Sequence, residues 1–291
     1  MNVSDIKPKL QNSSDTNMRQ SMMGIHKLIP NLMTMTAIAM GLTAIQLSWD
    51  GQWERAVLAI LVAVILDAMD GATARLLNAT SEFGAQLDSL SDFLAFGVAP
   101  SIILYSWILE ESGKVGWMAM IVYACACALR LARFNVTQKE LPAWKKGFFS
   151  GIPSPAGAGL ALFPLIIWIQ EPRFFEQFSF ASPLVGLWMI FVGALMVSRI
   201  PTFSTKAIKL PAKFGLPALA AAAFLIACLV HLPWITMTIG ALFYMASIPF
   251  AIKRFRELQK EYSDDEGIAD LALGAIVIEE FSTIKDKQDA P

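Results

Sequence analysis

Four aspartates lie between two apolar runs that are each long enough to cross a bilayer, and this placement limits the fold more than any other feature of the chain. The stretch 67–92 reads DAMDGATARLLNATSEFGAQLDSLSD. Asp67 and Asp70 are three residues apart and Asp88 and Asp92 four apart, so in helices each pair shares one face. The first pair closes one apolar helix and the second opens the next. A short turn would make those helices antiparallel neighbours and gather the four carboxylates near the membrane surface. An ionised aspartate in a span costs on the order of 3 kcal/mol, and four cost roughly 10 kcal/mol when nothing compensates. A divalent cation offsets that cost and the mutual repulsion, and a set made only of carboxylate oxygens suits Mg²⁺ or Mn²⁺. The plain alternative is four solvated acids in a polar loop; helical spacing and apolar flanks argue against it.

The remainder of the chain reads as an all-α, polytopic membrane helix bundle. Its 291 residues are 55% hydrophobic and 16% charged, with a mean hydropathy of +0.53. Apolar segments at 32–49, 54–75, 85–109, 115–134, 154–170, 183–200, 214–231 and 233–252 give about eight expected spans. Residues 1–20 are polar, carry no cleavable signal pattern and are expected to be a disordered cytoplasmic segment. Met18, Met22, Ile25 and Ile29 fall at helical spacing and suggest a short helix on the membrane surface, which Pro30 would end. Residues 21–252 would then be the membrane domain and 253–291 an acidic cytoplasmic tail.

With both termini inside, only Arg55, Lys114 and Arg173 fall on the far side, so the acidic stretch is expected to face the cytoplasm, at a bacterial inner membrane. The loops 130–147 and 199–213 carry Arg130, Arg133, Lys139, Lys145, Lys146, Arg199, Lys206, Lys209 and Lys213. Such loops can hold anionic headgroups or phosphates, or can simply fix the topology. No nucleic-acid partner is expected. Cys125, Cys127 and Cys228 sit inside apolar runs and read as small buried hydrophobes rather than as disulfide or zinc ligands. His26 and His231 lie far apart at span edges and are unconvincing as ligands or bases.

Gly71 and Ala74 continue the helix face that carries Asp67 and Asp70. Small residues there let a flat ligand approach the backbone, and Gly84 can do the same from the opposite wall; close helix packing is the competing explanation. Arg75 beside them can grip a phosphate as a bidentate fork. Metal, phosphate and a spare carboxylate together suggest phosphoryl-type transfer, in which catalysis is mainly positioning and charge neutralisation.

The pattern Asp67, Asp70, Gly71, Ala74, Arg75, Gly84, Asp88, Asp92 resembles, without departure, the signature of the CDP-alcohol phosphatidyltransferase family. The resemblance implies an enzyme that displaces CMP from a CDP-linked lipid or alcohol. It also implies a six-helix core, to which two C-terminal helices are added here, and a homodimer. By motif position Asp67, Asp70, Asp88 and Asp92 look like ligands of Mg²⁺ or Mn²⁺, with two ions expected, and Asp92 looks like the general base. Asp67, Gly71, Ala74, Arg75 and Gly84 match positions that line the cytidine diphosphate pocket.

Three further stretches, 130–135 (RLARFN), 151–156 (GIPSPA) and 198–204 (SRIPTFS), look like the membrane-type branch that takes L-serine as acceptor. In that branch CDP-diacylglycerol and L-serine would be the substrates. Serine is a zwitterion, so its carboxylate calls for an arginine. Arg130 and Arg133, three apart at a span end, can face one groove and hold that carboxylate or the lipid phosphate; as snorkelling residues they would do neither. Asn135, Ser154 and Arg199 are weaker candidates. Other acceptors, namely glycerol 3-phosphate, inositol phosphate or choline, stay open at this point. So do a membrane prenyltransferase and an ion-coupled transporter, although their acidic residues would be set far apart in the chain or near the bilayer midplane.

Overall fold

The computed structural model describes residues 7–137, 147–173, 180–203 and 215–288. All eight apolar segments are helical, and among the described residues five helices are long and apolar enough to cross a membrane: Leu28–Trp49, Trp53–Leu76, Glu82–Trp107, Lys114–Val136 and Pro233–Gln259.

Helices α1 (Lys7–Trp49) and α2 (Trp53–Leu76) form a tight hairpin. Gly51, at a φ of 69° that an L side chain rarely adopts, makes the turn. On α1, Ala37, Ala44 and Ser48 are buried, and on α2 Ala56, Ala59 and Ala63. Small residues on facing stripes let two membrane helices approach closely. The third span begins at α3 (Glu82–Asp92), where the Ser81 side chain accepts from the Gly84 backbone N–H at 3.0 Å and caps the helix. A single wide π-turn, Phe93–Val98, follows Asp92 and leads into α4 (Ala99–Trp107).

After a short 3₁₀ turn (Leu109–Ser112), α5 (Lys114–Thr137) packs against α8 (Ala181–Val197). Gly193 faces Ala126, and Gly186 faces Ala119, seven residues earlier on both helices. Between them lie α6 (Ser154–Ala161) and α7 (Phe163–Gln170), which break the expected fifth span at Leu162. The last helices are α9 (Gly215–His231) and α10 (Pro233–Gln288), and α10 packs on α6 and α7.

Two interruptions share one physical cause. A proline lacks an N–H, so the carbonyl four residues earlier loses its helical partner. Pro100 strands the carbonyl of Phe96, and the buried Tyr123 hydroxyl of α5 donates to it at 3.0 Å. Pro164 cannot donate to the Leu160 carbonyl, which accepts instead from a backbone N–H at the end of α6 and from Trp188 Nε1 of α8, the latter at 2.8 Å.

The structure corrects two expectations. The N-terminal helix does not stop at Pro30: α1 runs from Lys7 through Pro30 to Trp49, so the described part of residues 1–20 is helical. Breaking the helix within an apolar segment would leave backbone groups unpaired, which costs more than the proline. Helix α10 likewise continues through the acidic tail to Gln288. Finally, the fold is not wholly α. The strands β1 (Phe148–Ser150) and β2 (Pro201–Phe203) pair antiparallel, because two loops leaving neighbouring helices run side by side and satisfy each other's backbone groups.

Candidate active site

The acidic site forms where the end of α2 and the start of α3 meet α1. One carboxylate oxygen from each of Asp67, Asp70 and Asp88 lies within 4.8 Å of the others. Asp70 is buried and accepts a 2.5 Å hydrogen bond from Thr34 Oγ1 on α1. Ser91 Oγ in turn donates to the Thr34 carbonyl at 3.3 Å, so α1 is bonded to both arms of the acidic pair. Asp92 stands one turn beyond Asp88, close enough to Asp67 for the two carboxyls to interact. Its Oδ1 is buried without a hydrogen-bond partner. Three carboxylates this close repel one another, and an oxygen-only donor set of this kind fits Mg²⁺ or Mn²⁺. The unpartnered Asp92 oxygen is a further buried acceptor, one helical turn from Asp88.

The two glycines in the pattern have different surroundings. A Cβ on Gly71 would meet only Arg75 Nη1, at 3.8 Å, so nothing in the fold fills the space over it. A Cβ on Gly84 would come within 3.1 Å of Ser81 Oγ and 3.2 Å of Asn31 Oδ1, so a methyl there would crowd the helix cap and its neighbour on α1. Ala74 is half-buried and Arg75 exposed, its guanidinium lying towards Gly71 at the rim.

A buried arginine borders the acids. Arg130 is 8% exposed, lies over the Phe134 ring at 5.3 Å, and donates through Nη1 to the Ser154 hydroxyl, itself fully buried. Asp92 and Asp67 are within electrostatic reach of it. A guanidinium has five N–H donors, and among the described residues Ser154 is the one protein acceptor it meets.

The stretches 130–135, 151–156 and 198–203 come together here. Gly151 N donates to the Ile200 carbonyl at 2.9 Å, Thr202 Oγ1 donates to the Gly151 carbonyl at 2.8 Å, and Arg130 reaches Ser154. Arg133 points elsewhere: it is exposed and its Nη1 donates to the Val197 carbonyl at 2.5 Å, at the C-terminus of α8. Asn135 Nδ2 donates to Ser89 Oγ at 2.9 Å, bonding the end of α5 to α3 beside Asp88. Arg199 is exposed just past α8. Lys139, Lys145, Lys146, Lys206, Lys209 and Lys213 lie outside the described residues.

Sequence reasoning missed Thr34, Ser91, Tyr123 and Tyr244. The last is a residue of α10 whose hydroxyl is buried without a partner. Polar side chains inside apolar runs were the available signal. Spacing could not attach them to the acids, because Thr34 and Asp70 are 36 residues apart.

Comparison with known proteins agrees with this geometry. The family model described as CDP-alcohol phosphatidyltransferase matches residues 27–197, and a second, CDP-alcohol phosphatidyltransferase 2, matches residues 215–249. A CDP-diacylglycerol--serine O-phosphatidyltransferase of Mycobacterium tuberculosis is 36% identical over 244 residues, covering 82% of this chain and 84% of its own. Proteins of the same description from Helicobacter pylori and Bacillus subtilis are each 35% identical. The first aligns over 62% of this chain and 74% of its own, the second over 59% and 88%. With more than half of its length matched and its acidic pattern folded into one site, the chain is an enzyme of the CDP-alcohol phosphatidyltransferase family.

Proposed function

We propose that this protein transfers the phosphatidyl group of CDP-diacylglycerol to L-serine, giving phosphatidylserine and CMP. The observation that carries the reading is the convergence of the Asp67, Asp70 and Asp88 carboxylates within 4.8 Å, beside an Asp92 oxygen that is buried and unpartnered. The serine-specific part is supported by the descriptions of the relatives and by the stretches that meet around Arg130.

In this reading Asp67, Asp70 and Asp88, with Asp92 alongside, hold one or two Mg²⁺ or Mn²⁺ ions, which supply charge neutralisation at the diphosphate. The open face over Gly71 receives the cytidine diphosphate, with Ala74, Gly84 and Arg75 at its edges. Asp92 accepts the proton of the serine hydroxyl. The serine oxygen bonds to the phosphorus next to the diacylglycerol oxygen. The bond from that phosphorus to the oxygen bridging to CMP breaks, and CMP leaves with the electron pair. Arg130, held by Ser154, binds the serine carboxylate or the lipid phosphate through its remaining donors. Arg199, Arg133 and Asn135 border the same cytoplasmic face, with Arg133 and Asn135 bonded to α8 and α3.

The membrane domain, residues 21–252, crosses the bilayer eight times in this proposal, with both termini and the site on the cytoplasmic side of a bacterial inner membrane. The shorter apolar helices α6 with α7, α8 and α9 supply the three crossings beyond the five long ones. The protein acts as a homodimer.

The test is CMP release by purified, detergent-solubilised protein with CDP-diacylglycerol and Mn²⁺ or Mg²⁺. L-serine, glycerol 3-phosphate, inositol phosphate and choline are supplied in separate reactions. Release that depends on serine and drops about 100-fold or more in Asp92→Asn supports both the reaction and the base. Release with another acceptor alone keeps the family chemistry and overturns serine. No release with any acceptor, from folded and metal-loaded protein, overturns the transferase reading.

A further inference from the structure

Two paired strands of three residues each are too short to be stable alone, so whatever supports β1 and β2 also governs what they carry. The support comes from the C-terminal helix α10, which packs on β2. Phe148 of β1 stacks on its cross-strand partner Phe203 at 5.8 Å and meets the Phe255 ring of α10 edge-on at 5.3 Å. Thr202, between Pro201 and Phe203, turns its side chain to the opposite face and is buried. Its hydroxyl donates to the Gly151 carbonyl at 2.8 Å, where the chain leaves β1 at a φ of 80°. A hydroxyl that has given its proton still has lone pairs with which to accept. The Tyr244 hydroxyl of α10, buried and without a hydrogen bond of its own, lies beside it.

The same strand and turn meet Arg130 at two points. Ser154, three residues past Gly151, accepts from the guanidinium Nη1. The Phe134 ring, 5.3 Å from the guanidinium, lies 6.2 Å from the ring of Phe149, the β1 residue paired with Thr202. An arginine side chain has about 2 kcal/mol of rotamer entropy to lose, so its direction is set by what grips it. Here both grips depend on the segment 148–154, which Thr202 ties to β2 and α10 supports from behind.

We propose that Thr202 and Tyr244 are positioning residues for Arg130. Tyr244 donates to Thr202 Oγ1, Thr202 holds the Gly151 carbonyl, and the turn fixed in this way presents Ser154 to the guanidinium that binds the acceptor carboxylate. Helix α10 thereby acts on the acceptor side of the reaction through Arg130. This rests on the transferase reading above for the role of Arg130.

The test is initial-rate CMP release by full-length protein in detergent with Mn²⁺, comparing wild type with Arg130→Lys, Thr202→Val, Thr202→Ser and Tyr244→Phe. Arg130→Lys loses the planar fork and is expected to raise KM for serine about 10-fold or more. Thr202→Val is expected to raise the same KM about 10-fold and Tyr244→Phe about 3-fold, the range for one uncharged hydrogen bond. For both, kcat and KM for CDP-diacylglycerol stay close to wild type, and Thr202→Ser restores KM for serine. Thermal unfolding is followed on the same samples, because a variant that only loosens the fold moves both KM values and kcat together. Where Thr202→Val does not fold, Tyr244→Phe carries the test. A serine KM raised in Arg130→Lys but unchanged in Thr202→Val and Tyr244→Phe overturns this inference alone. A rise in both KM values that Thr202→Ser fails to reverse does the same. An unaltered serine KM in Arg130→Lys overturns the acceptor role of Arg130, and this inference with it. If wild type releases CMP only with another acceptor, the serine reading fails, and the same variants are compared on KM for that acceptor.

Discussion

Thr34 Oγ1 donates a 2.5 Å hydrogen bond to Asp70 Oδ2, fixing a carboxylate of α2 from a helix 36 residues earlier in the chain. The bond anchors Asp70, one of whose oxygens lies within 4.8 Å of an oxygen of Asp67 and of Asp88. Thr34→Val keeps the shape and removes the donor. It is expected to lower the apparent affinity for Mn²⁺ by about 10- to 100-fold, the usual effect of losing a group that orients a metal ligand. The midpoint of metal activation reads this, and Thr34→Ser should return it close to wild type. An unchanged midpoint in Thr34→Val would remove Thr34 from the site.

Gly71 and Gly84 should respond differently to alanine. The space over Gly71 is open, and alanine in a helix interior is up to about 1 kcal/mol better than glycine. Gly71→Ala is therefore expected to hold or raise the unfolding temperature while raising KM for the CDP-lipid several-fold. At Gly84 the new methyl meets Ser81 Oγ and Asn31 Oδ1, so Gly84→Ala should disturb the helix cap and cost about 1 kcal/mol of stability. Thermal unfolding and substrate titration on the same samples separate the two effects.

Tyr123 and Trp188 each donate to a carbonyl four residues before a proline. Removing the Tyr123 hydroxyl takes the side-chain donor from the buried Phe96 carbonyl, at a cost of about 1–3 kcal/mol, whereas Leu160 keeps a backbone N–H and loses less when Trp188 is removed. Tyr123→Phe acts on the π-turn that directly follows Asp92, so it is expected to lower kcat as well as stability. Trp188→Phe acts far along the chain from the acids and is expected to lower stability with kcat retained. If both variants change kcat equally, the turn after Asp92 has no special place in the reaction.

Gly151 sits at a φ of 80°, and a Cβ there would come within 2.4 Å of the Met196 carbonyl oxygen. Gly151→Ala must push the 151–156 stretch off α8. It should cost more than about 1 kcal/mol from the backbone conformation alone. Ser154 moves with that stretch, so Arg130 loses its anchor and KM for serine is expected to rise. A stable variant with an unaltered serine KM would show that Ser154 does not position Arg130 for the acceptor.

The acidic pattern is legible in the sequence because it is local. Asp67 with Asp70 and Asp88 with Asp92 lie on two consecutive helices joined by one turn, so periodicity alone aligns each pair and chain connectivity brings the pairs together. The apolar segments are legible for the same reason, since each one's length and hydropathy are its own. Local pattern misleads at Pro30, where a helix breaker in water is tolerated in an apolar segment. Nor does it reveal the break at Leu162 or the β1–β2 pair, both of which depend on neighbouring segments.

Everything that joins distant segments comes from packing. Arg130 and Arg133 are equivalent by spacing, yet helix rotation buries the first against Ser154 and leaves the second exposed at the end of α8. Gly71 and Gly84 are equivalent as residues, and only their neighbours tell open space from a crowded cap. The chain's own pattern thus specified the membrane helices, the acidic site and the family chemistry, because those depend on single segments and on two helices that follow one another in the chain. Which arginine lies beside the acids and what holds Asp70 in place were decided by tertiary contacts, whose partners are too far apart in sequence for any periodicity to link.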